Sequence, residues 1–513
     1  MAVPVAVAPS VLTPGVYLTV DLLAGTSSPS TGVLRVALMA PKSSVGDLTV
    51  DTEVRAGTGE ASANTAFGVG TVGHLGAKGI YSKFPAAQVD FIAPTAGTGT
   101  ATLDLTLSGV PTSDNIISLD VMGREFEVSW PAAATADATK TDVINAILQR
   151  TDDLACTASS GGVGVVTVDS KGLGGVGEDI LIKASIKEAV SGTEAIAGAA
   201  THTPLAAVTT DPDFTTALAS ISGREYHYIV TCLSNQDIDA IGGTNNAGRA
   251  ITHVDSLNTG LNSKLQQVIA GYTGSTVATA VLSALDADSF GNSEKAEMIM
   301  AINGRGLPGE LAGRECGGRL AAISVDPAAN RIGELLDGYV GSHDEIADDP
   351  TASESEAGLG GGVSLVGFTA QGAERLIRAV TTHSQDDAGG ADRRLLDTQN
   401  VDAEYIVARD IRDNIALEFP QAKITKDKAA GEDPPPPGVV EERDIKGWVT
   451  SRLRSWEKAG VVEKAALDAA ILPGGGLIVQ VNASDATQVD IVLPKKIIQP
   501  LAKFGIVSQR LPS

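Results

Sequence analysis

Aromatic side chains are scarce in this chain: seven Tyr, nine Phe and three Trp make up 4% of 513 residues. Its cores must therefore be packed from Ala, Val, Leu and Ile, and a hydrophobic content of 43% is enough to build them. Cysteine is scarcer still. Cys156, Cys232 and Cys316 are far apart, form no CxxC pair and are odd in number, so there is no disulfide framework and a reducing compartment fits best. No apolar run is long enough to span a bilayer. The opening Met1-Ala2-Val3-Pro4-Val5-Ala6-Val7-Ala8-Pro9 has no basic residue and two prolines, which speaks against a secretory leader. Positive charge is short as well, with 38 Lys and Arg against 62 Asp and Glu, a formal net charge of −24. Such a surface repels phosphate backbones and anionic lipid, so neither nucleic acid nor membrane is expected as a partner. It also keeps free subunits apart, so any assembly must rest on specific contacts and respond to salt.

Motifs that carry chemistry are equally thin. Gly68-Val69-Gly70-Thr71-Val72-Gly73 and Gly172-Leu173-Gly174-Gly175-Val176-Gly177 both match GxGxxG. A dinucleotide site needs a strand before the glycines, a helix after them and an acid on the next strand. The first stretch lacks a clear preceding strand and the second runs into Glu178-Asp179 and another strand; with 57 Gly, chance matches are expected. Asp286-Ala287-Asp288-Ser289-Phe290-Gly291, with Glu297 at the twelfth position, nearly fits a calcium loop. Phe290 occupies a ligand position, however, and the segment after Glu297 reads as strand, so a helix-to-strand turn is the plainer reading. His343-Asp344-Glu345 with Asp348-Asp349 reads as a solvated acidic loop, since a single histidine is thin support for a metal. Gly362-Val363-Ser364-Leu365-Val366 fails the nucleophile-elbow pattern at its last position. The histidines, His74, His202, His227, His253, His343 and His383, fall in no motif with a nucleophile. No catalytic residue, cofactor or metal is expected.

What the chain does have is alternation. Residues 31–93 and 207–395 predict an α/β layered core around a parallel sheet. Its strands are expected at 32–40, 89–93, 226–232, 266–272, 296–302 and 363–368. Its helices are expected at 67–83, 243–261, 275–285, 311–325 and 372–380. Between them, 94–206 is rich in Thr, Gly and Ala, with strand patterns at 101–107, 116–121, 125–129, 163–169 and 179–184 and one helix at 140–150. It reads as a β-rich module inserted into the core. Residues 343–362 form an acidic loop and 431–438, with four consecutive prolines, a stiff spacer.

The last domain, 396–503, contains a helix over 401–417, a second helix over 443–470, and then a break at Pro473-Gly474-Gly475-Gly476. Two β-like runs follow: Leu477, Ile478, Val479 and Val481, then Val489, Ile491 and Leu493, separated by a turn-rich spacer. They read as a hairpin, and a lone two-stranded hairpin is barely stable in water. Two loose ends can complete it: an amino-terminal arm over 1–30, carrying Val16, Tyr17, Leu18, Thr19 and Val20, and a carboxy-terminal arm over 504–513, carrying Ile506, Val507 and Leu511. If these ends pair with the hairpins of other copies, the chain is a polymer-former whose termini are its couplings. Arg443, Lys446, Arg452, Arg454, Lys458 and Lys464 make the 443–470 helix unusually basic for so acidic a protein. This is either a solvated face with partners such as Glu457 and Glu463 or a contact for an acidic partner.

Several of these stretches together resemble the contractile tail sheath proteins of bacteriophages, particularly the Mu-like branch. They are Pro14-Gly15-Val16-Tyr17 in the arm, Phe67-Gly68-Val69-Gly70-Thr71 before a helix, and the β-rich insert with Asp169-Ser170-Lys171-Gly172. Glu225-Tyr226-His227-Tyr228-Ile229-Val230 where the core resumes, Val401-Asp402-Ala403-Glu404-Tyr405 and Gly447-Trp448 to Trp456 complete the set. The resemblance implies a non-enzymatic virion subunit, assembled in the host cytoplasm as stacked hexameric rings around a tail tube. It implies a core laid out like subtilisin without protease chemistry, an insert facing solvent, and a carboxy-terminal domain facing the tube through Lys446, Arg452, Arg454 and Lys458. Partners would be other copies of the chain, the tube protein, and baseplate and tail terminator proteins. The alternatives are the sheath of a bacterial contractile injection system, or a subtilisin-like hydrolase.

Overall fold

A computed structural model describes residues 34–498, apart from 188–193, 207–209, 240–244, 260–263, 275, 303–305, 337–348, 370–372, 421, 429–434 and 486. The chain divides into two compact units. The larger begins with β1 (Arg35–Met39), β2 (Arg55–Ala56), α1 (Glu60–Phe67), α2 (Val72–Lys83) and β3 (Gln88–Ile92). The inserted stretch follows as β4 (Thr100–Ser108), β5 (Asn115–Val121), β6 (Arg124–Trp130), α3 (Ala136–Leu148), β7 (Cys156–Gly162), β8 (Val165–Leu173), β9 (Leu181–Ile186), β10 (Ala195–Ala197) and β11 (Thr203–Pro204). The core resumes with α4 (Thr215–Ile221), β12 (Tyr228–Thr231), α5 (Asn235–Asp239), α6 (Asn246–Leu257), β13 (Gln267–Gly274) and α7 (Val277–Leu285). It closes with β14 (Ala296–Ile302), α8 (Pro308–Val325, of which the residues from Ala322 on belong to the smaller unit), α9 (Ala352–Gly360), β15 (Ser364–Phe368) and β16 (Glu374–Arg378).

The core sheet has the order β16-β15-β14-β13-β12-β1-β3-β2. Strands β15, β14, β13, β12, β1 and β3 run parallel, with β16 and β2 antiparallel at the edges. The parallel strands are short apolar runs such as Val36-Ala37-Leu38-Met39 and Tyr228-Ile229-Val230, buried along their length, as a sheet covered on both faces requires. Val36 sits opposite Tyr228 on one side and Val89 on the other. From β1 the chain steps one way to β3. After the insert it resumes on the opposite side at β12, so the order reverses between β1 and β12. The insert forms two four-stranded sheets, β10-β4-β8-β7 and β11-β9-β5-β6. Alternate residues point inward, among them Leu105, Val166 and Val168 from one and Ile117, Leu119, Phe126 and Ile182 from the other.

Several expectations need correction. Residues 374–378 of the predicted 372–380 helix form strand β16 instead. Glu374 and Leu376, two apart, are both buried, and Glu374 holds Arg314 at 2.9 Å, which a period-2 strand provides. The described end of the 343–362 loop is helix α9, opened by a capping box in which Thr351 and Glu354 exchange hydrogen bonds. Phe67 ends α1 and does not open the next helix, and Thr71 caps α2 through the His74 N–H. Strand β7 went unpredicted because Ser159-Ser160-Gly161-Gly162 carries no apolar alternation. Glu297, the twelfth position of the calcium-like loop, is a core residue of β14. It accepts hydrogen bonds from Arg319 (2.9 Å) and Ser364 (2.7 Å), and Arg319 also stacks 4.5 Å above the Tyr228 ring. Of the acidic stretch 343–349, only Asp349 is described; it accepts from the Phe368 N–H at 3.1 Å. Among the described residues no cluster could hold a metal ion.

The smaller unit contains α10 (Thr398–Glu418), β17 (Lys423–Thr425), β18 (Val439–Glu441), α11 (Glu442–Lys458), α12 (Lys464–Ile471), β19 (Ile478–Val481) and β20 (Val489–Val492). The single helix expected over 443–470 is therefore two. Gly460 takes φ +79°, its N–H donates to the Glu457 carbonyl at 3.0 Å, and the Val461 N–H reaches the Trp456 carbonyl at 3.1 Å. Those two bonds are a Schellman stop, and glycine occupies the left-handed position such a stop needs.

Candidate assembly site

Helix α11 buries Ile445, Val449, Leu453 and Trp456, one stripe at helical spacing, and β19 packs against this helix. After α12 the chain turns through Pro473 and Gly474, the latter at φ +83°, and the Leu477 N–H reaches back to the Ala470 carbonyl at 3.1 Å. In the hairpin, Ile478 pairs with Val492, Val479 with Ile491, Gln480 with Asp490 and Val481 with Val489. The alternation sends Val479, Val481, Val489 and Ile491 to one face and Ile478, Gln480, Asp490 and Val492 to the other. Leu477 and Val479 are buried, whereas Ile478, Val481, Val489, Ile491, Val492 and Leu493 remain half-buried.

The turn between the strands is held by its own polar side chains. Asn482 Oδ1 accepts from the Ser484 and Asp485 N–H groups at 2.8 and 3.0 Å, and Asp485 accepts from the Thr487 N–H at 2.9 Å. Asp490 is buried and takes hydrogen bonds from Asn482 (2.8 Å) and Gln488 (2.6 Å). Glu442 at the start of α11 accepts the Val481 N–H at 2.6 Å and ties the hairpin to the helix. Among the described residues no third strand joins β19 or β20. The expected partner strands, Val16, Tyr17, Leu18, Thr19 and Val20 and then Ile506, Val507 and Leu511, lie outside the described residues.

The basic face divides in two. Arg452 Nε lies 3.2 Å from Asp410 and its Nη2 also contacts that carboxylate, whose side chain is fully buried. Trp456 Nε1 at 3.3 Å and Asn414 Nδ2 at 2.9 Å complete the shell. Burial raises the Asp410 pKa against the downward pull of Arg452. Arg454 is shared between Glu457, at 2.5 Å, and Asp468. Lys446 is half-buried and Lys458 exposed, and among the described residues neither forms an ion pair. Arg452 and Arg454 thus have internal partners, and the exposed Arg443 pairs with Glu441 at 2.5 Å; Lys446 and Lys458 are the α11 cations with no ion pair among the described residues.

One feature of this unit has no sequence signal. Lys495 and Glu404 form a buried ion pair, 5% and 3% exposed, joining the exit from the hairpin to α10. Next to it, the Glu463 N–H donates to the Lys496 carbonyl and the Ile498 N–H to the Val461 carbonyl, both at 3.0 Å. The two partners of the ion pair are far apart in the chain and sit in no motif.

No family model matches the chain, and no curated protein matches it. Among solved structures, a sheath tail protein from Desulfitobacterium hafniense is similar at 13% identity, over 95% of this chain and 100% of that one, with a TM-score of 0.45. A sheath tail protein from Listeria innocua is similar at 12% identity, over 93% of this chain and 96% of that one, with a TM-score of 0.46. Both are sheath tail proteins, the class of protein the sequence resembles.

Proposed function

We propose that the chain is a structural subunit of a contractile phage tail sheath, which polymerises as stacked hexameric rings around a tail tube and contracts to drive that tube through the host envelope. One observation carries this reading: among the described residues the β19–β20 hairpin is a sheet of two strands, with half-buried apolar side chains on both faces. Helix α11 supports one face of the hairpin, and strand edges of this kind accept further strands by main-chain hydrogen bonding. The amino-terminal and carboxy-terminal arms of neighbouring copies are the strands proposed to fill them. Assembled subunits are then rigid blocks joined by shared sheets, and contraction re-docks the blocks while the shared strands hold. The core has the subtilisin-like layout that the resemblance implies, without its chemistry. The proposed partners are the tube protein, met by Lys446 and Lys458, and the baseplate and tail terminator proteins at the two ends.

Electron microscopy of the purified chain tests this directly, with tubes or rings expected. Removing Met1 to Val20 is expected to leave folded monomers that do not polymerise. Normal tubes from the truncated chain would remove the arm from the mechanism.

A further inference from the structure

In an open α/β sheet, ligands bind in the crevice outside the carboxyl ends of the strands, where the strand order reverses. In this chain that crevice lies beyond β1 and β12, beside the amino-terminal ends of α2 and α8. Three loops of the insert converge there. The loop after α3 meets the Gly68–Thr71 turn: Gly70 has φ +72°, and a Cβ on it would lie 2.2 Å from the Thr151 carbonyl oxygen and 2.3 Å from the Lys171 ammonium. Lys171 in turn donates to the Thr151 and Leu154 carbonyls at 2.5 and 2.9 Å, and Lys78 of α2 pairs with Asp153 at 2.6 Å.

The turn between β5 and β6 meets the start of α8. The Gly306 N–H donates to the Met122 carbonyl at 3.2 Å, and Arg124 pairs at 2.7 Å with Glu310. Glu310 is buried and shared with Arg314, which continues to Glu374 on β16. The segment between β8 and β9 meets the exit of β12. Asp179 accepts the Asn235 N–H at 3.2 Å, and a Cβ on Gly175 would lie 1.9 Å from an Asp211 oxygen.

We infer that the inserted sandwich is a plug. It is seated by three loops in the crevice where a core of this topology would otherwise hold a ligand, and it makes sandwich and sheet one rigid body. The Gly-x-Gly turn at 68–70 is its socket: Gly70, lacking a side chain, leaves room for the Thr151 and Leu154 carbonyls and the Lys171 ammonium that bonds them, while its own N–H donates to His74 Nδ1 at 2.9 Å and is closed to a ligand. Rigidity follows from the three separated contacts, which add to the Thr95–Asp213 bridge and the Thr98–Thr210 hydrogen bond where the chain enters and leaves the sandwich. The inference is independent of the polymer reading, because it concerns contacts inside one chain.

The test is amide hydrogen exchange of the full-length chain, read by mass spectrometry. Asp153→Lys places two cations together at an exposed pair. It should speed exchange of amides 70–75 and 150–154 about fivefold, while β5 inside the sandwich keeps its rate. The swap Lys78→Asp with Asp153→Lys should return those amides to the parent rate. Arg124→Gln, which strips a buried carboxylate of one partner, should speed exchange over 122–126 and 306–312 about 30-fold. Parent rates at these amides in Asp153→Lys, a swap that does not restore them, or a speed-up spread evenly over the chain would each overturn the plug. Should Arg124→Gln fail to fold, the exposed pair and its swap decide alone.

Discussion

Replacing Arg452 by Gln separates two roles that the sequence leaves tangled, folding and docking. Asp410 is fully buried and Arg452 is the cation beside it. Removing one partner of a buried pair costs about 3–5 kcal/mol, because the remaining charge stays desolvated. The hydrogen bonds from Trp456 and Asn414 persist, and Arg452 is 27% exposed, so the lower end of that range, about 3 kcal/mol, is expected. The double variant Asp410→Asn with Arg452→Gln removes the stranded charge and should recover about half of the loss. Lys446→Glu and Lys458→Glu carry no such burden and should change stability by less than about 0.5 kcal/mol. Urea unfolding followed by tryptophan fluorescence reads this unit well, since Trp448 and Trp456 sit on α11. A cost below about 1 kcal/mol for Arg452→Gln, or a double variant no more stable than the single one, would refute the reasoning. Only the lysine variants then test docking: they should weaken assembly on a tube more than self-assembly, and equal effects would argue against a tube contact.

Asp237 gives a pH signature. Burial, with Asp211 nearby, pushes its pKa from the ordinary 3.8 up to about 6. The folded chain therefore holds a proton that the unfolded chain has released between pH 4 and 6. Stability from this group is present at the acid end and is lost as pH rises through 6, by about 3 kcal/mol at most. Asp237→Asn should flatten that slope in urea titrations at pH 4 to 8; an unchanged slope removes Asp237 as its source. Gly460→Ala should cost about 1 kcal/mol in thermal unfolding through its left-handed backbone, and a neutral result would discount the helix stop. Lys495→Met should cost about 3–5 kcal/mol, and Glu404→Gln added to it should restore a large part; measured by denaturant, no restoration would mean the pair is not coupled.

The elements that sequence reading found are those whose side chains declare their own periodicity. Val36-Ala37-Leu38-Met39 and Ala296 to Ile302 are continuous apolar runs, and a parallel sheet buried on both faces needs nothing else. The alternation in β5 and β6 was enough to recognise the insert. The helix stop at Ala459-Gly460 and the Thr351-Ala352-Ser353-Glu354 capping box were legible too, being local signals, but the basic run and the acidic run around them masked both. Strand β16 was harder, because the buried Glu374 pairs with Arg314, sixty residues away. The fate of Arg452 was not legible at all. Its partner lies on another helix, and a charge run looks the same in sequence whether its cations face water or a buried carboxylate.

The exit from the hairpin behaves like a rope made fast at a cleat. Residues 495–498 are tied to α10 by the Lys495–Glu404 pair and to the α11–α12 corner by two main-chain hydrogen bonds on either side of Ile497. A pull arriving from beyond residue 498 is therefore taken up at this corner and passed to α10 before it can reach β20. In the proposed assembly, load on the carboxy-terminal arm would then bypass the hairpin edges at which a neighbour's strand is proposed to sit.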